Sequence, residues 1–466
     1  MLFTNGREQL SLFLGQLSTP SAVGTRTRLQ CLASAPANAC SSISFAGAGD
    51  AQYCRLLEPG IALKGQPPVR VGMSASSDLL PINNSASSSS HRIQTRLPEL
   101  DGFRALAVCL ILNHHFGIFV RVLPWYNPIM FGGWIAVPLF FVLSSMLLTL
   151  PFLRAGLDAD KCPSTRRFYE RRALRIFPLF YLSMLIYMAA HAAWRSPLPN
   201  WRELVQHVFF LHNFQLGTST INAPYWSLAV EVQFYLAMPL IGRKLYIYAQ
   251  RNDFRASILF GCSLTIAPLV YRILVVCQPA LLRRLGYNFL IYSSTVSNFD
   301  SFGLGILCAV LYAQAARHGR TVFSPRNAVV LLATGLMLLY VLMCFNPERQ
   351  LSREASANWF TPPVYYTLIN ASWAACILAT LSLPRSGWRR LMSSRAAVQV
   401  SAISYSLYLW QWLCIDATQR LFLHLGITSG GVHTLLRLVI QALLVITLAP
   451  LSYYGFESRF LRYSRR

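Results

Sequence analysis

The sequence predicts an all-α membrane protein, a bundle of about ten transmembrane helices. Of its 466 residues, 54% are hydrophobic and only 12% are charged, against roughly 25% charged in a typical soluble domain. Runs of about 20 mostly apolar residues, the length at which a helix spans a bilayer, recur along most of the chain. A β-barrel would instead show short alternating segments. These observations place the chain among polytopic helical membrane proteins.

The first 92 residues differ in composition from the rest. Residues 1–92 are rich in Ser, Ala, Gly and Pro, a composition typical of disorder. We interpret them as a dispensable flexible tail or an over-extended start, with Met73 a candidate internal start. An organellar transit segment is a third interpretation, against which the acidic residues argue. The membrane domain is then expected over residues 96–460.

Eleven apolar runs follow this region, and ten are predicted to cross the membrane. The run at 204–220 contains two histidines, an asparagine and two glutamines, so we interpret it as an interfacial or re-entrant segment. The runs cover residues 103–120, 133–153, 176–193, 204–220, 226–246, 256–277, 296–316, 327–345, 362–382, 400–422 and 433–455.

The basic residues that give the chain its net charge of +24 lie mostly between these runs. In that position they indicate membrane topology rather than nucleic-acid binding. If 204–220 does not cross, the basic clusters at 161–175, 243–255, 317–326, 385–395 and 459–466 all fall on one side. The positive-inside rule then predicts that both termini are cytoplasmic. We expect a multi-pass protein surrounded by lipid in the plasma (inner) membrane.

Ionisable residues inside the first apolar run are candidate functional residues. A lipid-embedded charge persists mainly where it faces a cavity or another helix. Positions 104, 108, 111 and 115 share one helical stripe, which puts His115 rather than His114 on the face of Arg104. An imidazole titrates at about pH 6.5, so His115 can act as a general base. The alternative is a histidine that hydrogen-bonds a neighbouring helix.

Two further groups complete the predicted site. Arg172 and Arg175 share a helix face and can grip a phosphate by bidentate bonds, or can simply anchor the helix at lipid headgroups. Ser227, Glu231 and Tyr235 form a polar stripe at i, i+4 and i+8. Glu231 could orient the histidine or hold a substrate hydroxyl, or pair with a structural arginine. The topology places His115 and Glu231 in the outer half and the arginine pair at the cytoplasmic mouth, which suggests one pocket reached from both faces.

No metal site is predicted. His207 and His212 are five residues apart, a poor spacing for two ligands on one helix face. No HExxH or CxxC motif accompanies them. P-loop, GxGxxG and G-x-S-x-G motifs are also lacking.

Five segments, in order, resemble the acyltransferase-3 family of polytopic membrane acyltransferases. The first, from Leu100 to Val108 and on to His115, is similar to the family's opening LDGLRALAV…H. The others are similar to its GV-LFFVLSG, F-RR-RI-P, WSLSVEEQFYL and ISYSLYLWHW segments. They are Val137–Ser144, Phe168–Pro178, Trp226–Tyr235 and Ile403–Trp410.

The resemblance implies a function and roles for the site. Family members have ten or so helices and move an acyl group, often acetyl, from a cytoplasmic coenzyme A thioester to an extracytoplasmic hydroxyl, such as that of a carbohydrate or glycolipid. The donor is acetyl-CoA or another acyl-CoA, acting as substrate, with no bound cofactor. His115 and Glu231 would be catalytic. The substrate-binding residues would be Arg104, Arg172, Arg175, Ser227 and Tyr235.

Three positions depart from the family pattern. Ser145 replaces a glycine, Val232 replaces the second glutamate of VEEQ, and Gln411 replaces the histidine usual after Tyr-Leu-Trp. Two other interpretations stay open. One is a transporter or exporter of amphiphilic compounds, although no internal repeat is evident. The other is an inactive relative with a structural role, against which His115 argues.

Overall fold

The computed structural model describes residues 97–117, 126–214, 221–345, 361–427 and 431–463. Within these ranges all regular secondary structure is helical, which confirms the predicted fold class. The predicted tail at 1–92 lies outside the described residues.

Ten helices of 20 residues or more form the frame of the described chain. Each predicted run other than 204–220 corresponds to one of them, with ends displaced by a few residues except at the start of the third helix. They are α1 (Pro98–Gly117), α2 (Ala136–Leu157), α3 (Thr165–Ala193), α4 (Tyr225–Gln250), α5 (Phe254–Val276), α6 (Thr295–Arg317), α7 (Pro325–Cys344), α8 (Thr361–Ser382), α9 (Arg395–His424) and α10 (Gly431–Ser452).

Local signals in the sequence set several of the helix starts. Ser294, Ser324 and Ser394 precede α6, α7 and α9, and each side chain accepts a hydrogen bond from a backbone N–H of the first turn. Asp253 caps α5 in the same way. Such caps satisfy donors that a helix start leaves unpaired.

The third helix differs most from its predicted run. The apolar pattern predicts a start near residue 176, but α3 begins at Thr165. Its first three turns therefore carry the basic cluster on helix rather than on loop. This places Arg172 and Arg175 on a fixed face of a continuous helix.

Seven helical stretches are long and apolar enough to cross a membrane, which indicates a multi-pass membrane protein. They contain α2, α3, α5, α6, α7, α8 and α10. Three long helices of the described chain, α1, α4 and α9, do not meet this measure of length and composition. Of these three, α1 carries Arg104 and His115, α4 carries Glu231, and α9 carries Gln411.

Two packed groups of helices position these residues. Helix α6 packs against α2 and α5, and α2 packs against α4, while α1 packs along α9, and α9 against α10. The α2–α6 approach is close at Gly305, where an added Cβ would overlap Ser145 Oγ and the Val142 carbonyl. Ser145 Oγ donates to that carbonyl over 3.1 Å. The extra hydroxyl of Ser145 is thus accommodated by a glycine on the facing helix.

The run at 204–220 forms no membrane-crossing helix in its described part. An eight-residue helix, Trp201–Val208, is capped by Asn200 and followed by a short 3₁₀ turn at His212–Phe214. Eight residues rise only about 12 Å, less than half of a bilayer core of about 30 Å. Residues 215–220 lie outside the described chain.

Candidate active site

A cavity of about 400 Å³ opens at one end of the bundle, beside the starts of α1, α3 and α9. The C-terminal helical segments after α10, a π-turn at Tyr453–Glu457 and a short helix at Ser458–Tyr463, close its remaining side. Its walls combine basic, acidic and hydroxyl side chains. The lining residues are Asp101, Arg104, Arg171, Arg172, Arg175, Ser401, Ala402, Tyr453, Glu457 and Leu461.

Four arginines make this cavity strongly basic. The ion pairs of the described chain, Arg154–Asp158, Arg166–Glu170, Arg272–Asp300 and Arg389–Glu99, involve none of them. The Nε atoms of Arg104 and Arg172 are buried and have no hydrogen-bond partner in the described structure. A buried guanidinium with an unused donor is costly unless an anion satisfies it. The cavity is therefore suited to bind a phosphate or similar anion.

Two carboxylates face the arginines from the cavity wall. Asp101 Oδ1 accepts a hydrogen bond of 3.0 Å from Ser401 Oγ. Glu457 Oε2 accepts one of 2.7 Å from Ser406 Oγ, and the Glu457 side chain is buried. The π-turn that ends at Glu457 widens the helix and aims this carboxylate at the cavity, a distortion frequent at functional sites.

A carboxylate and two hydroxyls lie next to the arginines. Glu231 Oε1 accepts hydrogen bonds from Ser144 Oγ over 2.9 Å and from Tyr235 Oη over 2.5 Å. Ser144 Oγ and Tyr235 Oη lie 3.0 Å apart. The Arg172 guanidinium stands 5.7 Å from the centre of the Tyr235 ring, and Arg104 interacts electrostatically with Glu231 and Tyr235. This cluster can hold a polar group between the carboxylate and the guanidinium groups.

The two adjacent histidines of α1 have different surroundings. His114 is buried, and its Nδ1 lies 3.1 Å from the Met130 carbonyl. His115 is half-buried, and its Nδ1 lies 3.0 Å from Gln411 Oε1 on α9. The Trp412 ring meets the His115 ring edge-on at 5.2 Å. His115 stands eleven residues beyond Arg104, which is about 16 Å along the helix.

The structure brings together some of the predicted site residues and separates others. Arg104, Arg172 and Arg175 line one cavity, and Glu231 and Tyr235 lie beside it. His115 lies farther along α1. Ser227 Oγ, in the first turn of α4, lies 2.7 Å from Tyr408 Oη and donates to the Pro224 carbonyl over 3.2 Å. It connects α4 to α9 and makes no hydrogen bond to Glu231.

Sequence reasoning did not assign roles to four residues that the structure places at the site. Arg171 and Glu457 line the cavity, Ser144 bonds Glu231, and Gln411 bonds His115. A hydroxyl or amide inside an apolar run is a usable signal for Ser144 and Gln411. Glu457 offers a comparable signal, because it is an acid two residues beyond the last apolar run.

No group of three or more His, Cys, Asp or Glu side chains that could hold a metal occurs in the described ranges. The rings of His207 and His212 stack at 4.2 Å. Each bonds a backbone carbonyl, of Glu203 and Tyr225 respectively. Burial lowers the pKa of His212 to about 3 and also lowers the pKa of His207. Burial therefore favours the neutral form of both rings, and the bond of His212 to Tyr225 joins the segment 201–214 to the start of α4.

Comparison with known proteins identifies the family. A family model described as an acyltransferase domain matches residues 97–454. The chain is 26% identical over 320 residues to a protein of Acidianus two-tailed virus named as an acetyltransferase, covering 68% of this chain and 82% of that protein. It is 23% identical over 380 residues to the peptidoglycan O-acetyltransferase OatA of Listeria monocytogenes, covering 78% of this chain and 55% of OatA.

A Staphylococcus aureus (strain COL) protein named as an O-acetyltransferase is 23% identical over 378 residues, which are 78% of this chain and 57% of that protein. The chain thus spans a little more than half the length of the two bacterial relatives. No solved structure matches it. The family match covers well over half of the sequence and confirms the resemblance of the five segments. The chain belongs to the acyltransferase-3 family and is an O-acyltransferase by membership.

Proposed function

We propose that the protein transfers an acyl group, most simply acetyl, from coenzyme A thioester on the cytoplasmic side to a carbohydrate hydroxyl on the opposite side. One observation carries this proposal: the arginine cavity lies at one end of α1, and His115 lies farther along the same helix. The names of both bacterial relatives support acetyl as the group, and the name of OatA supports peptidoglycan or a related carbohydrate as the acceptor.

The donor fits the cavity by charge. Coenzyme A carries several phosphates. Four arginines line the cavity, and two of them, Arg104 and Arg172, present an unpaired buried Nε donor. The thioester is at the tip of a long flexible arm. With its phosphates in the cavity, that arm would run beside Glu231 and Tyr235 toward His115, about 16 Å along α1. The arginines would hold the donor, and the reaction would take place deeper in the bundle.

The transfer step needs one base and no cofactor. The His115 imidazole removes the proton of the acceptor hydroxyl as its oxygen attacks the thioester carbonyl. The carbon–sulfur bond breaks, and the thiolate that leaves takes the proton from the imidazolium. The products are an ester and free coenzyme A. Glu231, bonded by Ser144 and Tyr235, would orient the reacting groups from the arginine side.

This mechanism requires that α1, α4 and α9 also cross the membrane, giving ten spans with both termini cytoplasmic. Each has at least 20 residues, enough for a core of about 30 Å. Their lower apolarity follows from the polar residues that they carry, which contact other helices rather than lipid. Charged groups within spans are tolerated in such positions.

The test is a reconstituted transfer assay. Full-length protein in proteoliposomes is given ¹³C-acetyl-CoA outside and an N-acetylglucosamine oligomer inside, and ester formation and thiol release are measured by mass spectrometry and a thiol dye. We expect both products to form together. His115→Ala should lower both about 10²-fold or more at equal incorporation. Movement of unmodified donor or oligomer across the bilayer without ester formation would instead indicate a transporter.

A further inference from the structure

The contact between His115 and Gln411 joins the first long helix of the described chain to α9. Gln411 is fully buried. Its Nε2 donates to the Tyr408 carbonyl of its own helix over 3.1 Å, and its Oε1 lies 3.0 Å from His115 Nδ1. Both ends of the amide are therefore engaged, one by the backbone and one by the histidine.

These two contacts permit one arrangement of hydrogen atoms. A backbone carbonyl only accepts hydrogen bonds, so the amide NH₂ must face Tyr408. The amide oxygen, which also only accepts, then faces His115, so Nδ1 must carry the proton. A neutral imidazole holds one ring proton, which leaves Nε2 with a free lone pair.

We infer that Gln411 is a positioning residue for acyl transfer, which fixes the orientation and tautomer of His115 so that Nε2 is the atom that accepts the hydroxyl proton. The inference rests on the proposed role of His115 as base. The edge-on Trp412 ring adds a steric limit on rotation of the imidazole. Histidine tautomers in other enzymes are set in the same way, by a fixed partner on the opposite ring nitrogen.

The inference also gives a physical meaning to a sequence departure. The acyltransferase-3 pattern that the ISYSLYLWHW-like segment resembles has a histidine at the position of Gln411. A second imidazole can supply the same pair of bonds, an N–H to the Tyr408 carbonyl and a bare nitrogen to His115. Gln411 supplies them from one rigid amide, in a single orientation. The substitution therefore preserves the function of the position rather than abolishing it.

The test compares three substitutions. Gln411→Met keeps length and apolar packing but removes the acceptor. We expect kcat to fall roughly 10- to 100-fold, by analogy with the loss of the outer hydrogen-bond partner of a metal-ligating histidine. The KM for acetyl-CoA should stay within about twofold, because the arginine cavity is untouched. Gln411→His should restore most of kcat. Gln441→Met, at a buried glutamine of α10 whose amide has no partner in the described chain, is the matched control and should leave kcat unchanged.

A coupling measurement separates positioning from general stability. In a His115→Ala background, Gln411→Met should cause no further loss of kcat, since it acts only through His115. If the losses of kcat from His115→Ala and Gln411→Met were additive, the inference would be overturned. It would also be overturned if the kcat of Gln411→His were no higher than that of Gln411→Met. If His115→Ala is inactive while Gln411→Met has normal kcat, only this inference fails. A fully active His115→Ala enzyme would instead refute the proposed catalytic role of His115.

Discussion

The adjacent histidines of α1 provide a pair of substitutions with similar structural costs and different catalytic effects. His114→Ala leaves the buried Met130 carbonyl without its side-chain donor, and His115→Ala leaves Gln411 Oε1 without its donor. An unsatisfied buried acceptor costs about 1–3 kcal/mol. We therefore expect both variants to lose comparable stability, measured as thermal midpoints of the purified protein in one detergent.

Their catalytic rates should differ. Loss of a general base reduces the rate by about 10² or more, which corresponds to about 2.7 kcal/mol or more of activation free energy. We expect that loss for His115→Ala. For His114→Ala, the rate per mole of folded protein should stay within about threefold, because loss of this hydrogen bond lowers the folded fraction rather than the barrier.

The assay is acyl transfer from ¹³C-acetyl-CoA, normalised to the folded fraction from size-exclusion chromatography. The comparison is informative because each variant controls for the stability loss of the other. Equal rate losses in the two variants would mean that the rate follows local packing of α1. An unchanged rate in His115→Ala would remove this residue from the mechanism.

Three further predictions concern the donor, the packing and the topology. Arg172→Lys keeps the charge but loses the planar guanidinium fork, so acetyl-CoA should bind about tenfold more weakly in equilibrium dialysis. The control is Arg166→Lys, at an exposed arginine of the same helix that pairs with Glu170, and this variant should bind acetyl-CoA with unchanged affinity. Gly305→Ala forces α6 away from α2 and should lower stability by about 1–3 kcal/mol with no change in donor affinity, as measured by thermal midpoint and dialysis. In a background without the eleven native cysteines, a cysteine placed near residue 125, between α1 and α2, should react with an impermeant reagent in intact cells. One at residue 390 should react only after permeabilisation, and equal labelling would contradict the ten-span topology.

Much of the frame could be predicted from the sequence because helix length in a membrane follows from apolar run length. The helical class is confirmed. The predicted runs correspond to the long helices, and only α3 extends a long way beyond its run, since Thr165–Arg175 is too polar for an apolar pattern to reveal. Crossing of the membrane by α1, α4 and α9 is a proposal. Their polar site residues lower their mean hydropathy, so apolarity alone does not identify them as spans.

The site was predictable in its charged members and not in their partners. Stripes on single helices place Arg172 with Arg175 and Glu231 with Tyr235, because both pairs are local. The partners of these residues come from elsewhere in the chain: Ser144 is 87 residues from Glu231, and Gln411 is 296 residues from His115. The periodicity of a single helix cannot predict contacts between residues so far apart in the sequence. Ser227 lies on the stripe of Glu231, but its contact with Tyr408 on α9 could not be predicted for the same reason.

The contacts of α1 with α9 and with the short helix before it, Gly387–Met392, have a consequence for how the protein is made. Asp101 meets Ser401, and Glu99 meets Arg389, across 300 and 290 residues of chain. During synthesis, α1 leaves the ribosome long before Ser401 and Arg389 are made. Asp101 and Glu99 must therefore lie in the translocon or beside other helices until then. Catalytic competence can therefore arise only near the end of translation. A chain that stops before Arg389 would contain Glu99 without its ion-pair partner, a defect that membrane quality control can recognise and remove.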